Sequence, residues 1–263
     1  FLYQELPIDL ELGEPLYIVN DPCSATNHKS ISFMPDQIFP QLRIDDLFRI
    51  DFDGPILRVE ETNNCFHKLT CLKPGTIISN KGVDCMNRNL SIDALSERDY
   101  KALEYLNHTN INTVYISFTS NADVIKQIRT FANKKLKVIA KIENRLGIHS
   151  LNSICIEADG ILIDRGDLSR EISILDLPFA QRGIIKTAQE HQIPCYIATS
   201  ILESLLHQGL PLRSELNDIV SNLENGAHGI VLAAETAIGK KPILSVEIVA
   251  ELIHKYNMFK THS

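Results

Sequence analysis

Lys137-Val-Ile-Ala-Lys-Ile-Glu-Asn144, read together with Gly160-Ile-Leu-Ile-Asp-Arg-Gly-Asp-Leu168, decides how this chain is built. Each stretch is a short apolar run rich in β-branched residues that ends in charge, the pattern of a buried parallel strand delivering side chains to a rim. If the two strands are neighbours, Lys141, Glu143 and Asp167 converge. Two carboxylates beside an ammonium suit a hard divalent cation shared with an anionic substrate, because carboxylate oxygen favours Mg²⁺ and Mg²⁺ keeps positions open for ligand oxygens. The plain alternative is a strand-end ion pair, of Lys141 with Glu143 and of Arg165 with Asp167.

Outward from these stretches the same strand-then-helix unit recurs. Val114 to Phe118 precedes a helix from Asn121 to Asn133, with Val124, Ile125, Ile128 and Phe131 on its apolar face. Val138 to Glu143 precedes a helix after Leu146, Ile161 to Asp164 one around Phe179 to Glu190, Cys195 to Thr199 one from Leu202 to His207, and Ile230 to Ala233 one from Ile243 to Tyr256. Ser214 to Leu223 adds a further helix, and Ser96-Glu97-Arg98-Asp99 reads as a capping box opening a helix that buries Ala102, Leu103 and Leu106. Repeated strand–helix units imply a parallel α/β architecture, either a doubly wound sheet or a (β/α)₈ barrel of TIM type. Neither GxGxxG nor GxxxxGK[ST] occurs, which weighs against a nucleotide-binding open sheet. Every strand instead ends in polar residues, among them Ser117, Thr119, Thr199, Ser200, Glu235 and Thr236, as barrel enzymes require at their C-terminal strand ends. Five such units fall short of eight, so residues 91–263 are expected to form an incomplete barrel portion carrying the site.

Residues 1–90 carry turn signals instead, at Asn20-Asp21-Pro22, Asp53-Gly54-Pro55 and Lys73-Pro74-Gly75. The second is expected to join strands at Phe48 to Phe52 and Ile56 to Glu60, with Gly54 at positive φ. A small β-rich, lid-like domain is the expectation there. The chain has 263 residues, 44% hydrophobic and 22% charged, enough to bury a sizeable core. Its net charge of −7 leaves no basic footprint for nucleic acid or an anionic membrane, so small molecules are the expected partners. The six cysteines, Cys23 among them, lack CxxC spacing and point to a reducing, cytoplasmic setting, and Cys155 and Cys195, in apolar runs, read as buried thiols. No apolar run is long enough to span a membrane. Starting at Phe1, the sequence reads as a fragment or a processed product.

Several motifs resemble the pyruvate kinase family. Ala140-Lys141-Ile142-Glu143-Asn144 resembles its Lys-Ile-Glu-Asn strand end, and Arg165-Gly166-Asp167-Leu168 its Arg-Gly-Asp-Leu loop. Ala198-Thr199 with Leu202-Glu203-Ser204, Pro211-Leu212-Arg213-Ser214-Glu215 followed by Asp218, and Glu235-Thr236-Ala237 followed by Gly239 and Pro242 are similar to later family segments in the same order. Ile44-Asp45-Asp46 and Lys81-Gly82-Val83 resemble its lid more loosely. The resemblance implies a transferase that moves a phosphoryl group from phosphoenolpyruvate to ADP with Mg²⁺ and K⁺, in glycolysis. It implies Glu143 and Asp167 as Mg²⁺ ligands and Lys141 as the stabiliser of charge on the phosphoryl group and enolate oxygen. It implies Thr199 in proton delivery, the N–H groups around Gly166 and Asp167 as a cradle for the substrate carboxylate, and Lys81 near a nucleotide phosphate.

The family's first three barrel strands, with its phosphate-binding arginine, its K⁺ ligands and part of its nucleotide site, are expected to be missing from this chain, as is its C-terminal domain. A homo-oligomer or a partner chain would then complete the barrel. Asp164 stands where the family usually has alanine, Ser200 where it has glutamine and Asn80 where it has lysine. Asp164 could be a third ligand, a general base or the mark of a site that has lost its substrate. Glu235 reads as structural, pairing with Arg213 or capping the next helix. Two other functions remain open: a Mg²⁺-dependent aldolase or lyase of pyruvate enolate, and a degenerate phosphoenolpyruvate-binding or scaffold protein.

Overall fold

In the computed structural model, which describes residues 7–20, 28–51, 53–88, 90–93, 95–132, 135–207 and 209–262, the chain divides into two units, 1–93 and 94–263. Phe1, Asp21, Pro22, Cys23, Phe52 and Asn133, which figure in the expectations above, lie outside the described residues. Among those residues no helix is long and apolar enough to cross a membrane.

The first unit is built from alternation. Its strands are β1 (Ile8–Leu10), β2 (Pro15–Val19), β3 (Ser30–Ile31), β4 (Leu47–Ile50), β5 (Ile56–Thr62), β6 (Phe66–Lys73), β7 (Gly75–Ile77) and β8 (Val83–Cys85). Leu16 and Ile18, Phe48 and Ile50, Leu57 and Val59, and Leu69 and Cys71 recur at every second position and bury together, since successive strand side chains face opposite sides. Six strands form one sheet in the order β3-β2-β6-β5-β4-β8, antiparallel except for β2 with β3, and β1 pairs with β7. β4 and β5 do pair around Asp53-Gly54-Pro55. The left-handed residue there is Asp51 (φ 63°), however, and not Gly54. Gly54 is needed for close approach: a Cβ on it would sit 1.9 Å from the Ile50 carbonyl oxygen.

His67, on β6, is only 3% exposed and packs on the Phe39 ring at 4.2 Å between centroids. Burial is the main cause that holds its pKa below the ordinary 6.5. The unfolded chain therefore binds the proton that the fold rejects, so stability is full above about pH 6.5 and falls as pH drops towards the lowered value. Thermal melting between pH 7.5 and 5.5 is expected to show this loss in the first unit, and His67→Phe to flatten it.

In the second unit the elements are α1 (Glu97–Leu106), β9 (Thr113–Ile116), α2 (Asp123–Phe131), β10 (Lys137–Ile142), α3 (Arg145–His149), α4 (Leu151–Glu157), β11 (Gly160–Asp164), α5 (Arg165–Glu171), α6 (Leu177–Glu190), β12 (Cys195–Ala198), α7 (Ser204–His207), α8 (Arg213–Glu224), β13 (Gly229–Val231), α9 (Ala234–Ala237) and α10 (Pro242–His262). Ser96 and Asp99 form the capping box of α1, with Ser96 N–H donating to Asp99 at 2.8 Å and Asp99 N–H to Ser96 Oγ at 3.2 Å. Of the apolar positions expected inside, Ala102 is exposed, and so is Phe131 at 41%, its ring meeting Tyr100 edge-on at 5.2 Å on the surface. Leu103, Val124, Ile125 and Ile128 are buried as the 3.6-residue period requires.

The five strands form one parallel sheet in the order β9-β10-β11-β12-β13, each beside its predecessor with no reversal. A doubly wound sheet reverses its order at a switch point; this one does not. Val138, Ala140, Ile142, Ile161, Ile163, Cys195 and Ile197 join the main core of this α/β unit with the helices. Ile139, Leu162 and Ala198 form a small second cluster with Tyr196 and Val231. Alternation along β10 and β11 therefore puts Lys141 and Glu143 in phase with Ile139, and Asp164 in phase with Leu162, on the sheet face away from the main core.

Candidate functional site

β10 and β11 are hydrogen-bonded neighbours, with Lys141 opposite Leu162 and Ile142 opposite Ile163. Their C-terminal ends therefore deliver Lys141, Glu143 and Asp164 to one place, and α5, which starts directly after β11, adds Asp167. Lys141 Nζ lies 2.6 Å from Glu143 Oε1 and 3.2 Å from Asp164 Oδ2, with Ser117 Oγ at 3.5 Å. Glu143 is 1% exposed, and its second oxygen accepts the N–H of Phe118. Oxygens of Glu143, Asp164 and Asp167 all come within 4.8 Å of one another. Asp167 also pairs with Arg170 at 3.6 Å. All-oxygen donors gathered at that spacing, two of them buried, fit a hard divalent cation of the Mg²⁺ kind.

The electrostatics follow from burial. Desolvation by itself would push the Lys141 ammonium down, but its hydrogen bond to Glu143 and the charges of Glu143 and Asp164 outweigh it and hold the pKa above the ordinary lysine value. For Glu143 burial dominates, and its pKa is raised in spite of Lys141 and the Phe118 N–H. The lysine is thus a fixed positive charge at neutral pH.

Thr199 lies just beyond β12 with φ 68°, and Ser200 follows at φ 50°. A β-branched residue in the left-handed region costs of order 1–3 kcal/mol and persists only where its surroundings determine it. Here they do. Thr199 Oγ1 donates to the Ala198 carbonyl at 2.6 Å and accepts the Gly166 N–H at 2.8 Å, which ties the turn to α5. The Arg165 guanidinium donates from Nη2 to the carbonyls of Thr199 and Ser200, both at 2.8 Å, and Nη1 pairs with Asp218 at 2.5 Å. A methyl group on Gly166 would meet Asp164 and Thr199 oxygens at 3.5 Å, ordinary contact, so the glycine is not there for close approach.

The carboxylate of Glu235 completes the turn. In place of a pair with Arg213 it accepts three backbone N–H groups, from Ile201 at 3.0 Å, Leu202 at 3.1 Å and, at the start of α9 where a cap was the other expectation, Ala233 at 2.9 Å. Burial would raise its pKa, but these donors together hold it below the ordinary carboxylate range. Orphaning a buried N–H costs about 1–3 kcal/mol, so Glu235→Ala is expected to destabilise the second unit by at least about 3 kcal/mol, and Glu235→Gln by less. Urea unfolding followed by circular dichroism measures both.

Sequence reasoning singled out Lys141, Glu143, Gly166, Asp167 and Thr199, and these gather at adjoining strand ends of one sheet. Lys81 belongs to the first unit, where it pairs with Asp51 at 2.6 Å. The Arg165 clamp, its Asp218 partner and the three N–H groups on Glu235 went unread. Their only signal is charge at positions far apart in the chain.

The family model described as "Pyruvate kinase, barrel domain" matches residues 3–246. Among curated relatives, "Pyruvate kinase" of Chlamydia pneumoniae is 31% identical over 252 residues, covering 94% of this chain and 52% of its own. "Pyruvate kinase 2" of Synechocystis is 31% identical over 264 residues, covering 97% and 44%. "Pyruvate kinase" of Thermococcus litoralis is 34% identical over 204 residues, covering 76% and 43%. The chain thus spans about half the length of the curated relatives it matches.

Proposed function

Because the chain belongs to the pyruvate kinase family, we propose that it takes part in the transfer of a phosphoryl group from phosphoenolpyruvate to ADP, giving pyruvate and ATP. The observation that carries this reading is the meeting of Glu143, Asp164 and Asp167 oxygens within 4.8 Å, beside a lysine that ion-pairs with two of them. The names of the relatives give no support to an aldolase, a lyase or a scaffold.

On this reading residues 91–263 are an arc of a (β/α)₈ barrel and residues 1–90 its lid-like companion. β9 and β13 end the parallel sheet, each with one strand neighbour among the described residues. Further βα units, from a longer chain or a partner, would pair with those edges. Glu143 and Asp167 would hold Mg²⁺, with Asp164 in reach. When bound, the cation neutralises charge developing on ligand oxygens. K⁺ is implied by the family alone, and no residue of this chain is assigned to it. Lys81 would meet a nucleotide phosphate. A reducing, cytoplasmic setting fits the scattered cysteines.

The side chains then divide the work. Phosphoryl transfer asks for positioning and charge stabilisation. Lys141, fixed as an ammonium, stabilises negative charge on the phosphoryl oxygens and on the enolate oxygen as the bond between them breaks. The phosphoryl group passes to the terminal phosphate oxygen of ADP. The enolate carbon takes up one proton, and Thr199 Oγ1, whose hydrogen now points to the Ala198 carbonyl, stands at the end of β12 to hand one on. The Gly166 and Asp167 N–H groups, bonded here to Thr199 Oγ1 at 2.8 Å and to Asp164 Oδ1 at 3.5 Å, would orient the substrate carboxylate on exchanging those partners for it. Pyruvate formation from phosphoenolpyruvate and ADP, followed by a coupled dehydrogenase assay with Mg²⁺ and K⁺ present, tests the proposal. The expected result is turnover lost on chelation of Mg²⁺ and in Lys141→Met. Turnover that survives Lys141→Met would overturn the assignment of that lysine.

A further inference from the structure

His67 is a buried titratable group outside the proposed reaction. Its side chain is almost wholly enclosed, and among the described residues neither Nδ1 nor Nε2 has a hydrogen-bond partner. The Phe39 backbone and the Asp46 charge lie close enough to favour the protonated ring, but neither supplies a bond of proper geometry. Asp46 is committed elsewhere: its oxygens accept from Nε and Nη2 of Arg88, both at 2.6 Å, and from the Arg43 N–H at 2.8 Å. A buried polar atom left unpaired is costly, so the ring calls for a partner.

His67 also lines a cleft of about 440 Å³ in the first unit, within the size range of small-molecule sites. Phe39 and Pro40, from the 3₁₀ helix Asp36–Gln41, and Leu42 just after it give the cleft apolar surface. Thr62, Asn63 and Asn64, at the turn between β5 and β6, add a hydroxyl and two amides. That turn is held in place, because Asn63 Oδ1 accepts the N–H groups of Cys65 and Phe66, both at 2.8 Å. No Lys, Arg, Asp or Glu is among the described residues that line the cleft, so nothing there would offset the cost of desolvating a charged ligand. We propose that this cleft binds a small uncharged heterocycle with neighbouring hydrogen-bond donor and acceptor groups, as a purine base has, and that His67 bonds its edge. A neutral imidazole offers one donor and one acceptor, an asparagine amide can pair with a purine edge, and the purine face suits the apolar surface. None of these residues is assigned to substrate, metal or nucleotide in the proposed reaction.

Adenine, uncharged at pH 7.5, is the probe, and AMP is its charged counterpart. The whole chain, with ¹⁵N in its histidine rings, would be titrated with each, and the His67 resonances, assigned with His67→Phe, followed by NMR. Adenine is expected to move those resonances saturably, and AMP to bind there no more tightly. Calorimetry is expected to show adenine about tenfold weaker in His67→Phe, the effect of one lost bond in a buried site. Asn64→Ala, at an exposed position, carries the test should His67→Phe fail to fold, with a loss of about threefold expected. Resonances of His67 that stay in place, or adenine affinity that is unchanged in the folded variants, would overturn the proposal. So would AMP binding more tightly than adenine at His67, since that marks a phosphate site. The proposed phosphoryl transfer stands or falls separately, on turnover.

Discussion

Glu143→Gln is expected to abolish Mg²⁺-dependent binding of oxalate, a stand-in for the pyruvate enolate, with a loss of about a hundredfold or more. Replacing groups that merely support metal ligands costs roughly 10–100-fold, and a ligand itself should cost at least the upper end of that range. Glu143 brings a full negative charge that is 1% exposed, and the amide would replace it with a dipole. The same change removes one of the two carboxylates on Lys141. Asp167→Asn provides the cleaner comparison. Asp167 has a side chain that is 31% exposed and pairs with Arg170 at 3.6 Å, so its loss should disturb the fold less and the metal equally. Titration of both variants, alongside their melting curves, separates loss of the metal site from loss of structure.

The second large effect falls on stability. Lys141→Met is expected to cost the second unit about 3–5 kcal/mol, because Glu143 and Asp164 would be left buried without their shared cation. Urea unfolding at pH 7.5 measures it. The pH dependence gives the sign. The Glu143 carboxyl already has its pKa raised by burial, and loss of Lys141 would raise it further. A carboxyl raised above its unfolded value binds its proton more readily in the folded state, so that stability falls as pH rises through the interval between the two values. The deficit of Lys141→Met should therefore shrink as pH is lowered towards 5. A deficit that does not change with pH would mean that packing, not charge, is what the lysine supplies.

Much of this was legible because it is periodic. Ile161, Ile163, Cys195 and Ile197 lie in buried strands whose polar ends were read from order alone. The 3.6-residue period likewise marked Val124, Ile125 and Ile128 on α2, but it could not say where the groove beneath the helix ends, and Phe131 lies outside it at 41% exposure. Gly54 was read through its dihedral freedom, whereas the chain uses its missing Cβ. The candidate site divided in the same way. Lys141, Glu143 and Asp167 could be found because each stands beside a strand end. Glu235 could be read only as structural, because its partners across the turn are N–H groups of Ile201 and Leu202, backbone atoms that every sequence contains. The bond from Lys141 to Asp164 depends on the register of β10 against β11, which apolar runs do not specify.

The measurement that bears most directly on the whole account is a calorimetric titration of the unaltered chain with oxalate, in the presence and absence of Mg²⁺. Saturable binding that requires Mg²⁺ is the expected result, since three carboxylates whose oxygens lie within 4.8 Å of one another need a cation before an anion can approach. Oxalate binding of equal strength without Mg²⁺, or no binding by the folded chain in either condition, would contradict the assignment of a metal-assisted anion site to Lys141, Glu143 and Asp167.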